Sequence, residues 1–371
     1  MNRAAVAISA SLAWLALVRW LKERRREHME ELAVRAIEGS GSVWRVHNLL
    51  TANEFRLEAW LAMSSRGLLL TYAIPTISSV LVSTGGFASD VERRYADMEL
   101  LIREFSENAI DGTEQWDGQP ERAQMAIKRL NAIHAQYGSL ILMKDMQYVL
   151  SIFMLTPALW CDSPWAWRRM TQKEKACVYL HWMAIGRRMN IELDTSDTGD
   201  WRDFDSVVDF KRRYEGKHQR YRATNEQVAR STVEYFVKSF PTRPLRQAVG
   251  CLALNALSSM QEDPKHSAAL GLPSNPPILL RLGIDLLLRA RAFFCTYLVP
   301  PLPLAWTDRL TARRPSPSSG GCPFHFYAPR RALDFGNKQY GPGKPYALEQ
   351  LGPASVAAGL LEDKPRYREC A

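Results

Sequence analysis

Residues 122–138 read RAQMAIKRLNAIHAQYG, and within them Ala123, Ala126, Ile127, Leu130, Ile133 and Tyr137 recur in steps of three and four. That spacing gathers the apolar side chains on one face of a helix, and His134 falls on the same face. A single imidazole on a buried helix face can give a rigidly aimed, neutral nitrogen with apolar walls around it, which is what axial ligation of haem iron needs. A hydrogen-bonded core histidine is the commoner outcome of such a placement.

Helical signals also dominate outward from this stretch. Thr51 to Glu54 and Thr171 to Glu174 both have capping-box spacing, Asn225 precedes EQVARSTVEYFV, and Thr242 stands just before Pro244. No sustained alternation of period two is present, so the fold class expected is all-α.

The apolar run AAVAISASLAWLALVRWL at 4–21 is long enough to span a bilayer, with Arg19 able to snorkel, and the basic run from Lys22 to Arg26 follows it. Only Arg3 precedes the run, so the positive-inside bias predicts a single-pass anchor with the body in the cytosol. A cleaved signal peptide fits less well, because charge stands where a small-residue cleavage site belongs. GLLLTYAIPTISSVLVSTGGFAS at 67–89 carries Pro75 and reads as a buried or interfacial helix broken at the proline. Ile278 to Val299 is apolar but contains Arg281, Asp285, Arg289 and Arg291, and reads as a long core helix. From about residue 313 the texture changes to RRPSPSSGGCP and FGNKQYGPGKPY. The division expected is an anchor and basic flank at 1–27, a helical domain at 28–312 and an irregular C-terminal arm at 313–371 that packs on the body.

At 371 residues and 46% hydrophobic content, the chain can bury a core without help from metals or disulfides. Eleven Trp and twelve Met suggest a roomy apolar interior able to hold a large ligand, although a Trp-rich core is the plainer cause. The net charge of +9 is scattered rather than striped, so nucleic acid is not the expected partner. Solvated surface charge, a basic face beside an anionic leaflet, and Arg pairing with an anionic cofactor all account for it. The six cysteines, Cys161, Cys177, Cys251, Cys295, Cys322 and Cys370, form no C-x-x-C pair, which fits a reducing compartment.

G-x-S-x-G, H-E-x-x-H, the P-loop and a post-strand G-x-G-x-x-G are all missing, and most hydrolase and nucleotide readings fall with them. The seven histidines include no pair at i, i+3 or i+4, so a helical His pair for zinc or di-iron is not expected. Cys322 in GGCPFHF lacks the F-x-x-G-x-R-x-C setting of a P450 thiolate ligand and reads as a loop cysteine.

RLNAIHAQYG, DMQYVLSIFMLTPALW, YLHWMAIGRRMNI and the closing KPYALEQLGP together resemble the ER-bound oxygenase MpaB-type family, relatives of the bacterial rubber oxygenases. The likeness takes in TYAIPTIS, ERRYADMELLIREF and the region around RRYEG as well. It implies an all-α protein with a globin-like core holding haem b, anchored to the endoplasmic reticulum. The implied activity is oxidative cleavage of a carbon–carbon double bond in a prenylated or other apolar small molecule of secondary metabolism. Its expected partners are that substrate, dioxygen and membrane lipid. By position, the resemblance makes His134 the iron ligand, places Arg129 near the same site, and sets Arg94 by the distal pocket. Arg188 and Arg289 are weaker candidates for pairing with haem propionates. Two residues depart from the pattern: Met98 stands where relatives carry threonine, and Asn131 where the bacterial rubber oxygenases carry arginine. A non-catalytic membrane-tethered binding protein, or a haem oxidoreductase that leaves carbon–carbon bonds intact, are the other functions compatible with this chain.

Overall fold

The computed structural model describes residues 3–86, 91–110, 120–238, 240–304, 346, 348 and 351–352. The expected arm, with Cys322, therefore lies outside the described residues except at its last four described positions. Among the described residues there is no strand, and the regular elements are all helical. In chain order they are α1 (Arg3–Ile37), α2 (Val43–Leu49), α3 (Arg56–Ala62), α4 (Leu68–Tyr72), α5 (Pro75–Ser83), α6 (Val91–Glu107) and α7 (Pro120–Ala135). There follow α8 (Met143–Cys161), α9 (Gln172–Arg188), α10 (Phe204–His218), α11 (Ala223–Val237), α12 (Arg243–Ser259), α13 (Pro264–Ala269) and α14 (Ile278–Tyr297).

Helix α1 changes partner along its length. Its first half exposes Val6, Ile8, Leu12, Trp14, Leu17 and Trp20, whereas Met29, Ala33 and Ala36 in its second half are buried against the body, where α1 packs on α9 and α2. It is long and apolar enough to cross a membrane.

Between α2 and α4 the helical path carries two wide π-type turns, Leu50–Glu54 and Met63–Gly67, each of which takes an extra residue into the turn. The capping box expected at Thr51 is replaced by this continuing helix. Thr51 Oγ1 donates instead to the carbonyl of His47, 2.9 Å away, a back-bond inside a helix rather than a cap. The second box forms as expected: Thr171 Oγ1 accepts from the Glu174 amide, and the Glu174 carboxylate accepts from the Thr171 amide. The proline break forms too. Ile74 is extended, as a residue before proline prefers, and α5 leaves the 56–72 segment at 92°.

Asn225 does not cap. Helix α11 begins two residues earlier, and the buried Asn225 side chain accepts from Ser78 Oγ at 2.6 Å and donates to the carbonyls of Ala73 and Ala269. One amide thereby ties α5, α11 and α13 together.

The main core gathers α2, α6, α7, α8 and α9, with Tyr148, Ile152, Met154, Leu155 and Ala158 of α8 at its centre. Helix α14 departs from its expected place in the core. Of its twenty residues only Leu288 and Ala292 are buried, because the side that carries Asp285, Leu288 and Arg291 meets the body while most of its leucines face away.

Candidate functional site

Helices α6 and α7 pack against each other, and Ala123, Ala126, Ile127 and Ile133 bury the apolar face that the sequence places on α7. His134 lies at the last turn of that face. Burial, and secondarily the positive charge of Arg94, push its imidazole down to about 4, so the ring is neutral near pH 7. Its Nδ1 is enclosed with no hydrogen-bond partner. A neutral, desolvated nitrogen with an open valence is the donor state a metal needs, and the residue type fits a group that could hold haem iron.

The sequence candidates then divide. Arg94 on α6 lies within electrostatic reach of His134, its guanidinium packed beside Gly86. Met98 follows Arg94 by one turn on the same side of α6. Arg129 is buried and donates from Nε to the carbonyl of Leu351 at 2.8 Å, so it holds the closing stretch of the chain against α7. Arg188 sits at the end of α9, where its backbone carbonyl accepts from Asn131 Nδ2 at 3.0 Å. Asn131 thus links α7 to α9. Arg289 belongs elsewhere: it is exposed on α14 and pairs with Asp285 at 2.7 Å.

Met98 also lines a cavity of about 790 Å³, together with Tyr95, Ile102, Phe153, Trp167 and Trp182. Its far wall is built by the π-type turns and by Pro157, which lies inside α8 and cannot donate to the carbonyl one turn back. The volume is in the range of a pocket for a sizeable organic ligand. Most of its charged walls are paired, Arg103 with Glu99 and Glu107 among them. Glu54 holds Arg25 at 2.8 Å and Arg168 at 3.3 Å, and Glu58 holds Arg291 at 2.8 Å. The interior offered to a ligand is therefore apolar and aromatic with compensated charge.

Two features of the site escaped the sequence reading. His47 lines the cavity and stacks on His181, ring centroids 3.9 Å apart. Burial pushes His47 down to about 3. It takes His181 well below its usual range, with His47 adding to the effect. His47 Nδ1 and His181 Nε2 are enclosed with no hydrogen-bond partner. Their positions in α2 and α9 share no periodicity that a sequence could show.

The other is Tyr346, whose hydroxyl donates to the buried carboxylate of Glu104 on α6, which also pairs with Arg122 of α7. Beside it the amide of Gly352 donates to Asp97 Oδ2 at 2.9 Å. Tyr346, Leu351 and Gly352 of the motif KPYALEQLGP thus reach the helix pair that carries Arg94 and His134. Its presence in the sequence was a signal of importance but not of location.

The chain is 26% identical over 257 residues to the ER-bound oxygenase mpaB' of Penicillium brevicompactum, a match covering 66% of this chain and 56% of that protein. It is 27% identical over 181 residues to the ER-bound oxygenase mpaB of Penicillium roqueforti (strain FM164), covering 46% of this chain and 58% of the relative. A further match, to ER-bound oxygenase mpaB of Penicillium brevicompactum, is 29% identical over 133 residues and covers 35% of this chain and 32% of the relative. No family model matches the chain. The three relatives support an MpaB-type family for it, and the matches span less than two thirds of the relatives' own lengths.

Proposed function

We propose, starting from this likeness to ER-bound oxygenases, that the chain is a membrane-anchored oxidoreductase of the oxygenase class that uses haem b and dioxygen. The observation that carries the reading is His134: a neutral ring with an enclosed, unpartnered nitrogen within electrostatic reach of the cation of Arg94. His134 would hold the iron. Arg94 would offer a positive charge to a propionate or to bound dioxygen, and Arg188 is the remaining candidate for a propionate. Arg129 would act on the site indirectly, by keeping residues 351–352 against α7.

What haem b supplies when bound is activation of dioxygen. The protein's own part is to bind and orient an apolar substrate in the cavity beside Met98, and to keep water out with Trp167, Trp182 and Phe153. Cleavage of one carbon–carbon double bond would take both atoms of dioxygen into two carbonyl groups, so the reaction balances without an added reductant. A prenylated or similarly apolar molecule fits the aromatic lining. An α1 anchored in the endoplasmic reticulum, with the body on the cytosolic side, would hold the cavity close to such a substrate.

The test is the visible absorption spectrum of detergent-purified protein, oxidised and reduced, beside a His134→Ala variant. A Soret band present in the parent and lost or displaced in the variant supports the reading. A colourless parent that also fails to take up added haem overturns it. Met98, which provides no hydroxyl where the family resemblance implies a threonine, favours a membrane-tethered ligand-binding protein in that case.

A further inference from the structure

Helix α14 has its polarity turned inside out. Asp285 accepts from Trp165 Nε1 at 2.9 Å, and Arg291 reaches Glu58 on α3, so these charges are spent on the body. On the other side Leu279, Leu282, Leu286, Phe293 and Tyr297 recur in steps of three, four and seven and are more than half exposed. An apolar stripe of this length facing water is costly.

Its position bears on what could cover it. The C-terminal end of α14 meets the exposed apolar half of α1, where Trp14 Nε1 donates to the carbonyl of Leu298 at 3.0 Å and Lys22 Nζ donates to the carbonyl of Cys295. The stripe is therefore continuous with the segment long and apolar enough to cross a membrane. Exposed Arg281 and Arg289 border it, and the neighbouring α12 exposes Arg243 and Arg246 together with Leu245 and Leu252. Leucine and aromatic side chains on one face with arginines along the border are the pattern of a helix lying in a lipid interface.

We propose that the outward face of α14 is a second membrane-contact surface, lying in the plane of the bilayer beside the anchor. The occupant is lipid. Lys22, Cys295, Val299 and Leu302 belong both to this junction and to the lining of the cavity, so an apolar substrate dissolved in the bilayer would reach the cavity there. This inference rests on the reading of α1 as an anchor.

The experiment places a benzophenone photo-crosslinking amino acid at position 286 of the full chain in nanodiscs of phosphatidylcholine and phosphatidylserine. Position 12 on α1 reports anchoring, and the exposed position 136 beyond the end of α7 is the reference. Mass spectrometry then identifies what each position captures. The expected result is phospholipid at position 286, about tenfold above position 136 and comparable to position 12. Lipid at position 12 with a second copy of the chain, a peptide from residues 305–371, or nothing at position 286 overturns the inference and leaves the anchor standing. Lipid at neither position overturns both.

Discussion

Helices α8 and α14 are near equals in length and apolar content, yet they end up in opposite surroundings. Helix α8 is enclosed by α3, α4, α9 and α10 and leaves Ile152, Leu155 and Ala158 wholly buried. Helix α14 packs on α12 and meets the middle of α1, and shows Leu279 at 81% exposure and Leu286 at 70%. Hydropathy states how much apolar surface a helix carries and nothing about which neighbour covers it. Asp285 and Arg291 of α14 show the difference: they are too few to make it polar and are placed to turn it round.

The sharpest way to break this contrast is a charge in each helix. Leu155→Asp puts an unpaired carboxylate in the core and is expected to cost at least about 4 kcal/mol, seen as failure to fold or a collapsed melting transition in detergent. Leu286→Asp is expected to change stability by less than about 0.5 kcal/mol in the same measurement. A comparable loss in both would mean that α14 is a core helix after all.

Acid probes the core without mutation. The folded-state values of His134, about 4, and His47, about 3, lie below the 6.5 of an exposed imidazole. The unfolded chain therefore binds protons first as pH falls. Stability is complete above about pH 6.5 and drops by roughly 3 kcal/mol for each of these two imidazoles on the way to pH 4. Denaturant midpoints between pH 7.5 and 4.5 give the slope, and a His47→Phe variant should flatten it. No histidine lies in α14, so Leu286→Asp should leave the slope as it is.

A smaller effect is expected where the closing motif meets α6. Tyr346→Phe removes one donor from the buried Glu104 carboxylate and should cost about 1–3 kcal/mol in chemical denaturation. An unchanged midpoint would show that the motif adds nothing to the α6–α7 pair. Smallest is the contrast between the two Thr-x-x-Glu motifs. Thr171→Ala should lose about 1 kcal/mol of melting stability with its cap, and Thr51→Ala less than about 0.5 kcal/mol.

Those two motifs also show how far the sequence reads. Both have the spacing of a capping box, but at Thr51 the chain arrives already helical from α2, so its hydroxyl has no orphan amide to satisfy. The all-α class, the break at Pro75, the start at Thr171, the apolar segment of α1 and the placement of His134 on a buried helix face all follow from intervals of one to four residues. Those intervals are where helical geometry, capping and the restriction before proline operate, so the sequence by itself determined them.

The tertiary structure alone decided the rest. It set Arg94 within electrostatic reach of His134, stacked His47 on His181, brought Tyr346 to Glu104, and gave Asn225 its place between three helices. It also turned the leucines of α14 outward and closed the cavity against α1. Each of these joins residues far apart in the chain through the angle and distance at which helices cross, and helix packing takes that geometry from all the side chains at the contact together.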